Sequence, residues 1–223
     1  IITNSLESTI SNGKLAQALL FTGPRGVGKT SCARIVAREI NKFKIEDDYS
    51  YNVFELDAAS NNGVDDIRNL IEQTRIPPQK GNFKVYIIDE VHMLSAGAFN
   101  AFLKTLEEPP KHCIFILATT EKHKIIPTII SRCQIYNFKR ISNSDIIKNL
   151  QNICSLEKIS YDKESLQIIA TKSDGSMRDA LQLFDKVLGV GKEINKDTVQ
   201  NNLNSLDIND NIKILDHILE KNI

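Results

Sequence analysis

The sequence GPRGVGKT occupies residues 23–30, directly after the apolar run ALLFT (18–22) and at the start of a helical pattern at 29–40. It consists of a glycine, four further residues and then Gly-Lys-Thr. Glycines let successive backbone N–H groups converge on one anion, and the N-terminus of the following helix adds positive potential at the same place. A strand, this loop and a helix in that order predict a phosphate-binding site in an α/β fold.

The side chains of this loop indicate which phosphate compound it binds. Lys29 is expected to reach the β- and γ-phosphates of a nucleoside triphosphate, and the Thr30 hydroxyl is expected to ligate Mg²⁺. The predicted cofactors are therefore ATP and Mg²⁺. Together with an acid on a later strand, the predicted nucleotide-binding residues are Gly23, Gly26, Val27, Gly28, Lys29, Thr30, Ser31 and Asp89.

Two later apolar runs end on polar residues of the kind that ATP hydrolysis requires. VYIIDE (85–90) leads into Asp89, which is expected to hold Mg²⁺ partly through water, and Glu90, which is placed to polarise the attacking water. ILATT (116–120) ends on two threonines, of which we select the second, Thr120, as the hydroxyl beside the γ-phosphate. The alternative interpretations are helix-start acids and a threonine that only caps a loop.

The rest of the chain up to about residue 140 alternates strand-like and helical runs. Several of the strand-like runs are continuously apolar, which is typical of parallel strands covered on both faces. This pattern predicts a doubly wound α/β sheet domain at 1–140. Besides ALLFT, the predicted strands are NVFEL (52–56), KVYIID (84–89), CIFILATT (113–120) and QIYNF (134–138), and the predicted helices include 29–40, 64–75 and 95–107.

After Lys139 and Arg140 the strand-like runs stop, and three segments open on Ser or Asp with apolar residues recurring at three and four. They predict a small all-helical domain at 141–206. A last amphipathic helix is predicted at 207–223. The three helical segments are SNSDIIKNLQNICSLE, DKESLQIIATKS and SMRDALQLFDKVLG.

Composition limits the function classes. The 28 basic and 28 acidic residues cancel, which gives no support for a general polyanion binder. No N-terminal signal peptide is evident, and apolar runs such as CIFILA are too short to span a membrane, so we expect a cytoplasmic protein. The chain does not begin with methionine, and we expect a fragment of a longer one. The scattered cysteines are interpreted as reduced core thiols: Cys32, Cys113, Cys133 and Cys154.

Two arginines require anionic partners. Arg132 lies within IISRCQIYNF (129–138), after a short helix predicted to start at Pro127, and its partner is either a neighbouring acid or an anion from elsewhere. Arg178 lies in the first turn of a helix that begins at Ser176, where a cation costs about 0.3–1 kcal/mol unless an anion faces it. The local candidates for that anion are two nearby aspartates, and the functional candidate is a nucleotide phosphate.

Two other function classes are alternatives to an ATPase of this kind. The sequence DEVH (89–92) with Thr119 and Thr120 is also compatible with a nucleic-acid helicase of the DExH type. Such enzymes need two motor domains, and no second phosphate loop follows here. A scaffold that binds nucleotide without hydrolysis is the third possibility, although it would not need the acid at Glu90.

Six motifs together resemble one family, the AAA+ clamp-loader ATPases of the gamma/tau subunit type of bacterial DNA polymerase III. They occur in this order: GPRGVGKTSCAR, FELDAASNNGVDDIR, KVYIIDEVHMLS, FNAFLKTLEEPP, FILATT and IISRCQ. The resemblance implies an AAA+ domain, a helical lid domain and, from Asp207, the start of a helical collar. It implies an ATPase within a hetero-pentamer of clamp-loader subunits, which opens a sliding clamp and places it on primer–template DNA.

The resemblance also implies residue roles. Thr120 becomes the sensor 1 residue, Arg178 the sensor 2 residue on the lid, and Arg132 an arginine finger that acts on ATP bound to the neighbouring subunit. By position in the family, the segment 60–68 with Arg68 would face DNA and RIPP (75–78) would lie towards the clamp, although both segments are also compatible with plain surface.

The chain departs from the family pattern in two places. Many members carry a four-cysteine zinc module after the first helix, whereas NKFKIEDDYSYN (41–52) contains no cysteine, so no zinc is predicted. The N-terminal segment that helps to hold the adenine ring in AAA+ proteins is also expected to be missing from this sequence. Weak nucleotide binding by this chain alone is therefore expected.

Overall fold

The computed structural model describes residues 2–44, 46, 48, 50–189, 193–196, 198 and 199. The chain divides into two compact units, Ile1–Lys139 and Arg140–Ile223. The predicted collar helix at 207–223 and the end of the predicted lid at 200–206 lie outside the described residues.

The first unit alternates helices and strands as the sequence predicts. Its strands are β1 (Ala18–Thr22), β2 (Val53–Asp57), β3 (Lys84–Asp89), β4 (Cys113–Thr119) and β5 (Gln134–Asn137). Its helices are α1 (Ile2–Ser11), α2 (Lys29–Asn41), α3 (Val64–Thr74), α4 (Ala96–Glu107) and α5 (Pro127–Ile130), with short 3₁₀ turns at Val91–Met93 and Lys122–Lys124.

The strands form a five-stranded sheet in the order β2-β3-β4-β1-β5. All of its neighbouring strands are parallel. Thr22 at the end of β1 pairs with Thr119 at the end of β4. The carboxyl ends of the strands therefore meet at one edge, where α/β folds of this kind bind ligands.

Helices cover both faces of the sheet. Alternate strand residues point to opposite sides, so each face contributes its own apolar side chains to a core. On one face Tyr86 and Phe115 pack against Phe102 of α4, and the rings of Phe102 and Phe115 meet edge to face at 5.2 Å between centroids. On the other face Phe21 and Ile116 pack against α2. Burial on both faces explains why β1, β3 and β4 read as continuously apolar runs.

The second unit contains α6 (Asn143–Glu157), α7 (Lys163–Lys172) and α8 (Met177–Leu188). Each helix starts at a predicted capping residue, since the side chains of Ser142, Asp162 and Ser176 each accept a backbone N–H from the first turn. One detail corrects the prediction of an all-helical unit: β6 (Ser160–Tyr161) and β7 (Glu193–Ile194) form a parallel pair. Strands of two residues have no periodicity from which to predict them.

The four cysteines are free thiols. Burial raises the pKa of the Cys113 thiol to about 11 and does the same for Cys133. Both are therefore protonated and poorly nucleophilic at neutral pH. Within the part of the chain that the structure describes, no helix has the length and apolarity that crossing a membrane requires.

The core on the α4 face gives a first prediction. Replacing the fully buried Phe102 by alanine should lower the free energy of unfolding by about 3–5 kcal/mol, because the lost ring leaves a cavity beside Phe115. Ile76→Ala is the matched control, because this side chain is 59% exposed and its loss should cost within about 0.5 kcal/mol. Urea unfolding followed by circular dichroism measures both, and equal losses would contradict the described core.

Candidate nucleotide-binding site

The phosphate loop connects β1 to α2 through backbone that favours glycine. Gly23, Gly26 and Gly28 all have positive φ angles, of 144°, 74° and 91°. Gly28 directly precedes α2, so the loop leads into the helix N-terminus. The backbone N–H of Gly23 donates to the carbonyl of Thr119 at 3.2 Å, which ties the loop to the end of β4.

Lys29 lies inside the loop and is only 6% exposed. Its Nζ donates to the carbonyl oxygens of Gly23 at 2.9 Å and Pro24 at 2.8 Å. A buried ammonium needs such oxygen partners to offset the loss of water. The loop thus holds one positive charge among its own backbone groups, beside the N-terminus of α2.

Thr30 and Asp89 meet although they lie far apart in sequence. The Thr30 hydroxyl donates to Oδ2 of Asp89 at 2.6 Å, and Oδ1 of Asp89 accepts the backbone N–H of Glu90 at 2.9 Å. A hydroxyl and a carboxylate in contact are hard oxygen ligands that suit Mg²⁺. Mg²⁺ in such sites takes its remaining ligands from water and phosphates, so the pair fits the ion. Among the described residues, no group of three or more His, Cys, Asp and Glu side chains forms a metal site of another kind.

Glu90 is held beside Thr120. Its backbone is left-handed with φ of 45°, and Oε2 of its carboxylate accepts the Thr120 hydroxyl at 2.9 Å and the Thr120 backbone N–H at 3.2 Å. A non-glycine residue in this conformation costs about 1–3 kcal/mol and is common at functional sites. The structure therefore brings together the predicted base and the predicted sensor threonine.

The two threonines at the end of β4 have different environments. Thr119 is fully buried, and its hydroxyl accepts the backbone N–H of Glu121 at 3.0 Å. Thr120 is partly exposed and reaches the Glu90 carboxylate. The structure therefore brings Thr120, and not Thr119, into hydrogen-bond contact with the predicted base.

His92, the last residue of DEVH (89–92), also belongs to this cluster, although no role was predicted for it from the sequence. Its side chain is 6% exposed, and Nδ1 lies 3.0 Å from the Thr119 hydroxyl and 3.4 Å from Oε2 of Glu90. Nε2 lies 3.3 Å from Oε1 of Glu121. The hydrogen bond from Lys124 lowers the pKa of Glu121, and the charges of Lys124 and His92 contribute less. The only sequence signal was its position two residues after Glu90.

Arg132 lies after α5, as the sequence predicts, and contacts its own chain. Its guanidinium meets Oε1 of Glu107 at 2.6 Å and the carbonyl of Thr128 at 2.7 Å. The side chains of Arg132 and Glu107 are 33% and 48% exposed. The anion that faces Arg132 is therefore a carboxylate at the end of α4, and none of these contacts reaches the phosphate loop.

Arg178 lies in the second unit, exposed on the first turn of α8. It makes no hydrogen bond or ion pair with the described residues. Of its two acidic neighbours, Asp174 pairs with Arg140 at 2.6 Å, and Asp179 gives its backbone N–H to Ser176. Arg178 therefore pairs with neither of the two aspartates that the sequence offers as local partners.

The sheet order, the loop after β1 and the two acids at the end of β3, Asp89 and Glu90, define a P-loop nucleotide-binding domain of the AAA+ class. The structure resembles the Holliday junction branch migration motor RuvB of Thermotoga maritima with a TM-score of 0.71 and 23% sequence identity. The likeness covers 94% of this chain and 68% of that chain. It confirms the predicted fold class.

Sequence comparisons then define the family. Residues 1–142 match the family model described as DNA polymerase III, delta subunit, and residues 145–193 match that of the DNA polymerase III clamp loader subunit, ATPase lid domain. The chain belongs to the clamp-loader ATPase family of DNA polymerase III subunits. The resemblance drawn from six sequence motifs is thereby confirmed.

Individual relatives support the same family assignment. The chain is 49% identical over 210 residues to DNA polymerase III subunit tau of Bacillus subtilis, a match that covers 87% of this chain and 37% of the relative. It is 38% identical to the subunit tau of Escherichia coli, over 99% of this chain and 37% of that protein. Against subunit gamma of Buchnera aphidicola (subsp. Baizongia pistaciae) it is 38% identical, covering all of this chain and 64% of the relative. The chain thus spans little more than a third of the tau subunits.

The phosphate loop generates a second prediction. A Cβ added at Gly23 would collide with the backbone carbonyl oxygen of Phe138, whereas one added at Gly13, which also has a positive φ, meets nothing within 4 Å. Gly23→Ala should therefore displace the loop and weaken nucleotide binding, while Gly13→Ala should cost only about 1 kcal/mol of unfolding free energy. Titration with a fluorescent ATP analogue and urea unfolding compare the two variants. Equal nucleotide affinities would show that the loop tolerates the side chain.

Proposed function

We propose that this chain is the ATPase region of a DNA polymerase III clamp-loader subunit, which uses ATP binding and hydrolysis to load a sliding clamp onto primer–template DNA. The proposal is supported by family membership and by one geometric observation. The phosphate loop, the Thr30–Asp89 pair and the Glu90–Thr120 pair lie at the same edge of the sheet. Its partners would be the other subunits of a hetero-pentameric loader in the cytoplasm.

The first half of the site would bind the nucleotide. Lys29 would exchange its loop carbonyls for the β- and γ-phosphates, and the backbone N–H groups of the loop would surround them. Thr30 would ligate Mg²⁺ directly, and Asp89 would hold it partly through water. The ion, when bound, supplies charge neutralisation at the phosphates.

The second half of the site would activate water. Oε2 of Glu90 is occupied by the two Thr120 donors, whereas Oε1 accepts no hydrogen bond from the described residues. Oε1 is thus free to accept a proton from the attacking water. Fixing one carboxylate oxygen orients the other, and such orientation accounts for much of the efficiency of a general base. This supports hydrolysis over the alternative of an idle nucleotide scaffold.

The ion pair of Arg132 is compatible with a role between subunits. Exposed ion pairs contribute about 0–1 kcal/mol, because water competes for both charges. Arg132 can therefore exchange Glu107 for the γ-phosphate of ATP bound to a neighbouring subunit at little cost. Thr128 would still hold the guanidinium through its carbonyl. Glu107 would then serve as the resting partner of the finger.

Other residue roles rest on the family resemblance. Arg178, exposed on the lid, would act as sensor 2 towards the bound nucleotide. Arg68 pairs with Asp65 at 3.0 Å on the exposed start of α3, and Ile76 is 59% exposed, so both proposed contact segments present side chains to solvent. The absence of zinc remains a prediction from the cysteine-free segment at 41–52.

A third prediction separates binding from hydrolysis. In the full-length protein assembled with its partners, Lys29→Ala should weaken ATP binding, because the cation at the phosphates is lost. Glu90→Gln should keep ATP affinity and lower turnover by about 10²–10⁴, since the amide has nearly the same shape but cannot act as a base. Equilibrium binding and single-turnover hydrolysis measure the two effects. Unchanged turnover in Glu90→Gln would mean that Glu90 serves only as the residue that precedes the 3₁₀ turn Val91–Met93.

A fourth prediction tests whether Arg132 acts in trans. Arg132→Ala should lower turnover in the assembled loader by about 10³–10⁵, the range for arginine fingers in related P-loop enzymes. Glu107→Gln is the matched control, because it removes the resting partner and leaves the arginine. If the arginine serves only the ion pair, both variants will lose the same activity.

Mixed assemblies locate the action of Arg132. Arg132→Ala in one subunit and Lys29→Ala in another should give activity that depends on which of the two subunits precedes the other. An arginine that acts within its own subunit would give the same activity in either arrangement.

A further inference from the structure

His92 is a buried titratable residue without an assigned part in the site. It lies in the 3₁₀ turn Val91–Met93, directly after Glu90, and its side chain is 6% exposed. Both ring nitrogens face oxygen atoms: Nδ1 faces Thr119 and Glu90, and Nε2 faces Glu121.

The oxygen atoms around His92 determine which hydrogen bonds its ring can make. An ionised carboxylate only accepts hydrogen bonds, so an N–H at Nε2 would complement Oε1 of Glu121, which lies 3.3 Å away. The Thr119 hydroxyl already accepts the backbone N–H of Glu121 and can either receive a proton from Nδ1 or donate to it. The second carboxylate, Glu90, has its Oε2 3.4 Å from Nδ1. The imidazole ring thus lies between the carboxylates of Glu90 and Glu121.

We propose that His92 is a positioning residue for ATP hydrolysis, which fixes the Glu90 carboxylate from the side opposite to the nucleotide-facing oxygen. Oε2 of Glu90 then has three neighbours, namely the two Thr120 donors and Nδ1 of His92. Together they restrict rotation of the carboxylate and keep Oε1 directed at the attacking water. The inference rests on the proposed role of Glu90 as the base.

The same contacts link the base to the loop after β4. Nε2 of His92 meets Glu121, and Glu121 also pairs with Lys124 at 2.9 Å. A shift of this loop would therefore move His92 and, through it, Glu90. None of the hydrogen bonds of His92 to described residues reaches the phosphate loop, so its loss should alter the rate of hydrolysis and leave ATP affinity in place.

Two substitutions separate the two sides of the ring. Asparagine carries its amide nitrogen on Cγ, where Nδ1 is attached, and so retains a donor towards Thr119 and Glu90. Glutamine carries its amide nitrogen near the position of Nε2 and retains only the donor towards Glu121. If His92 positions Glu90, His92→Gln should lower single-turnover hydrolysis by about tenfold or more and His92→Asn by only a few-fold.

The experiment uses the full-length protein assembled with its partner subunits. It compares wild type, His92→Asn and His92→Gln in ATP affinity, thermal stability and single-turnover rate. Equal rates in all three, or a greater loss in His92→Asn than in His92→Gln, would overturn the proposal. A loss of ATP affinity as large as the loss of rate would also overturn it, because a positioning residue acts on the chemical step.

A double-mutant cycle decides the case in which both variants lose rate equally. In a Glu90→Gln background the base is absent, so a further His92→Gln change should cost nothing more if His92 acts through Glu90. Additive losses would overturn the proposal. Absence of hydrolysis in the wild-type assembly, or full activity in Glu90→Gln alone, would instead refute the proposed function. The two failures are therefore distinguishable.

Discussion

The hydrogen bond between Thr30 and Asp89 is the contact on which the rest of the site depends. It joins the first turn of α2 to the end of β3 at 2.6 Å, across 59 residues of sequence. The contact requires that β1 and β3 both point their carboxyl ends to the same edge of the sheet, although β4 lies between them. A parallel sheet provides this arrangement because every crossover returns the chain to the same starting edge. Without it, the two proposed ligands of a metal ion, Thr30 and Asp89, would be separated.

A second consequence of the parallel arrangement is the division of work between adjacent threonines. Consecutive residues at the end of a strand point to opposite sides. Thr119 is directed into the core, where it meets His92 and the start of the next loop, whereas Thr120 faces the Glu90 carboxylate. Polar groups at this depth need partners, and each hydroxyl finds them without competing with the other. The carboxylate of Glu90, the proposed base, is thereby contacted from more than one direction.

Two cations of the first unit, Arg132 and Lys29, differ in their exposure to water. Arg132 and Glu107 form an ion pair that is accessible to water, whereas the ammonium of Lys29 is buried among carbonyl oxygens. A buried ammonium needs oxygen partners at all times, whereas an exposed ion pair competes with water and is weak. The two cations of the proposed reaction therefore differ in their surroundings: one would serve the nucleotide site of this chain, and the other would act on a neighbouring site.

Local sequence patterns were sufficient to predict the elements and the phosphate loop. Buried parallel strands read as continuous apolar runs, so β1 and β3 match their predicted bounds, and Ser or Asp marks each helix start in the second unit because those side chains accept the first free N–H groups. Tertiary structure alone decided that Glu107 is the partner of Arg132, that His92 joins Glu90 to Glu121, and that β6 pairs with β7. The first set depends on neighbours along the chain, whereas the second depends on the order in which strands and helices pack, which brings together residues that no local pattern relates.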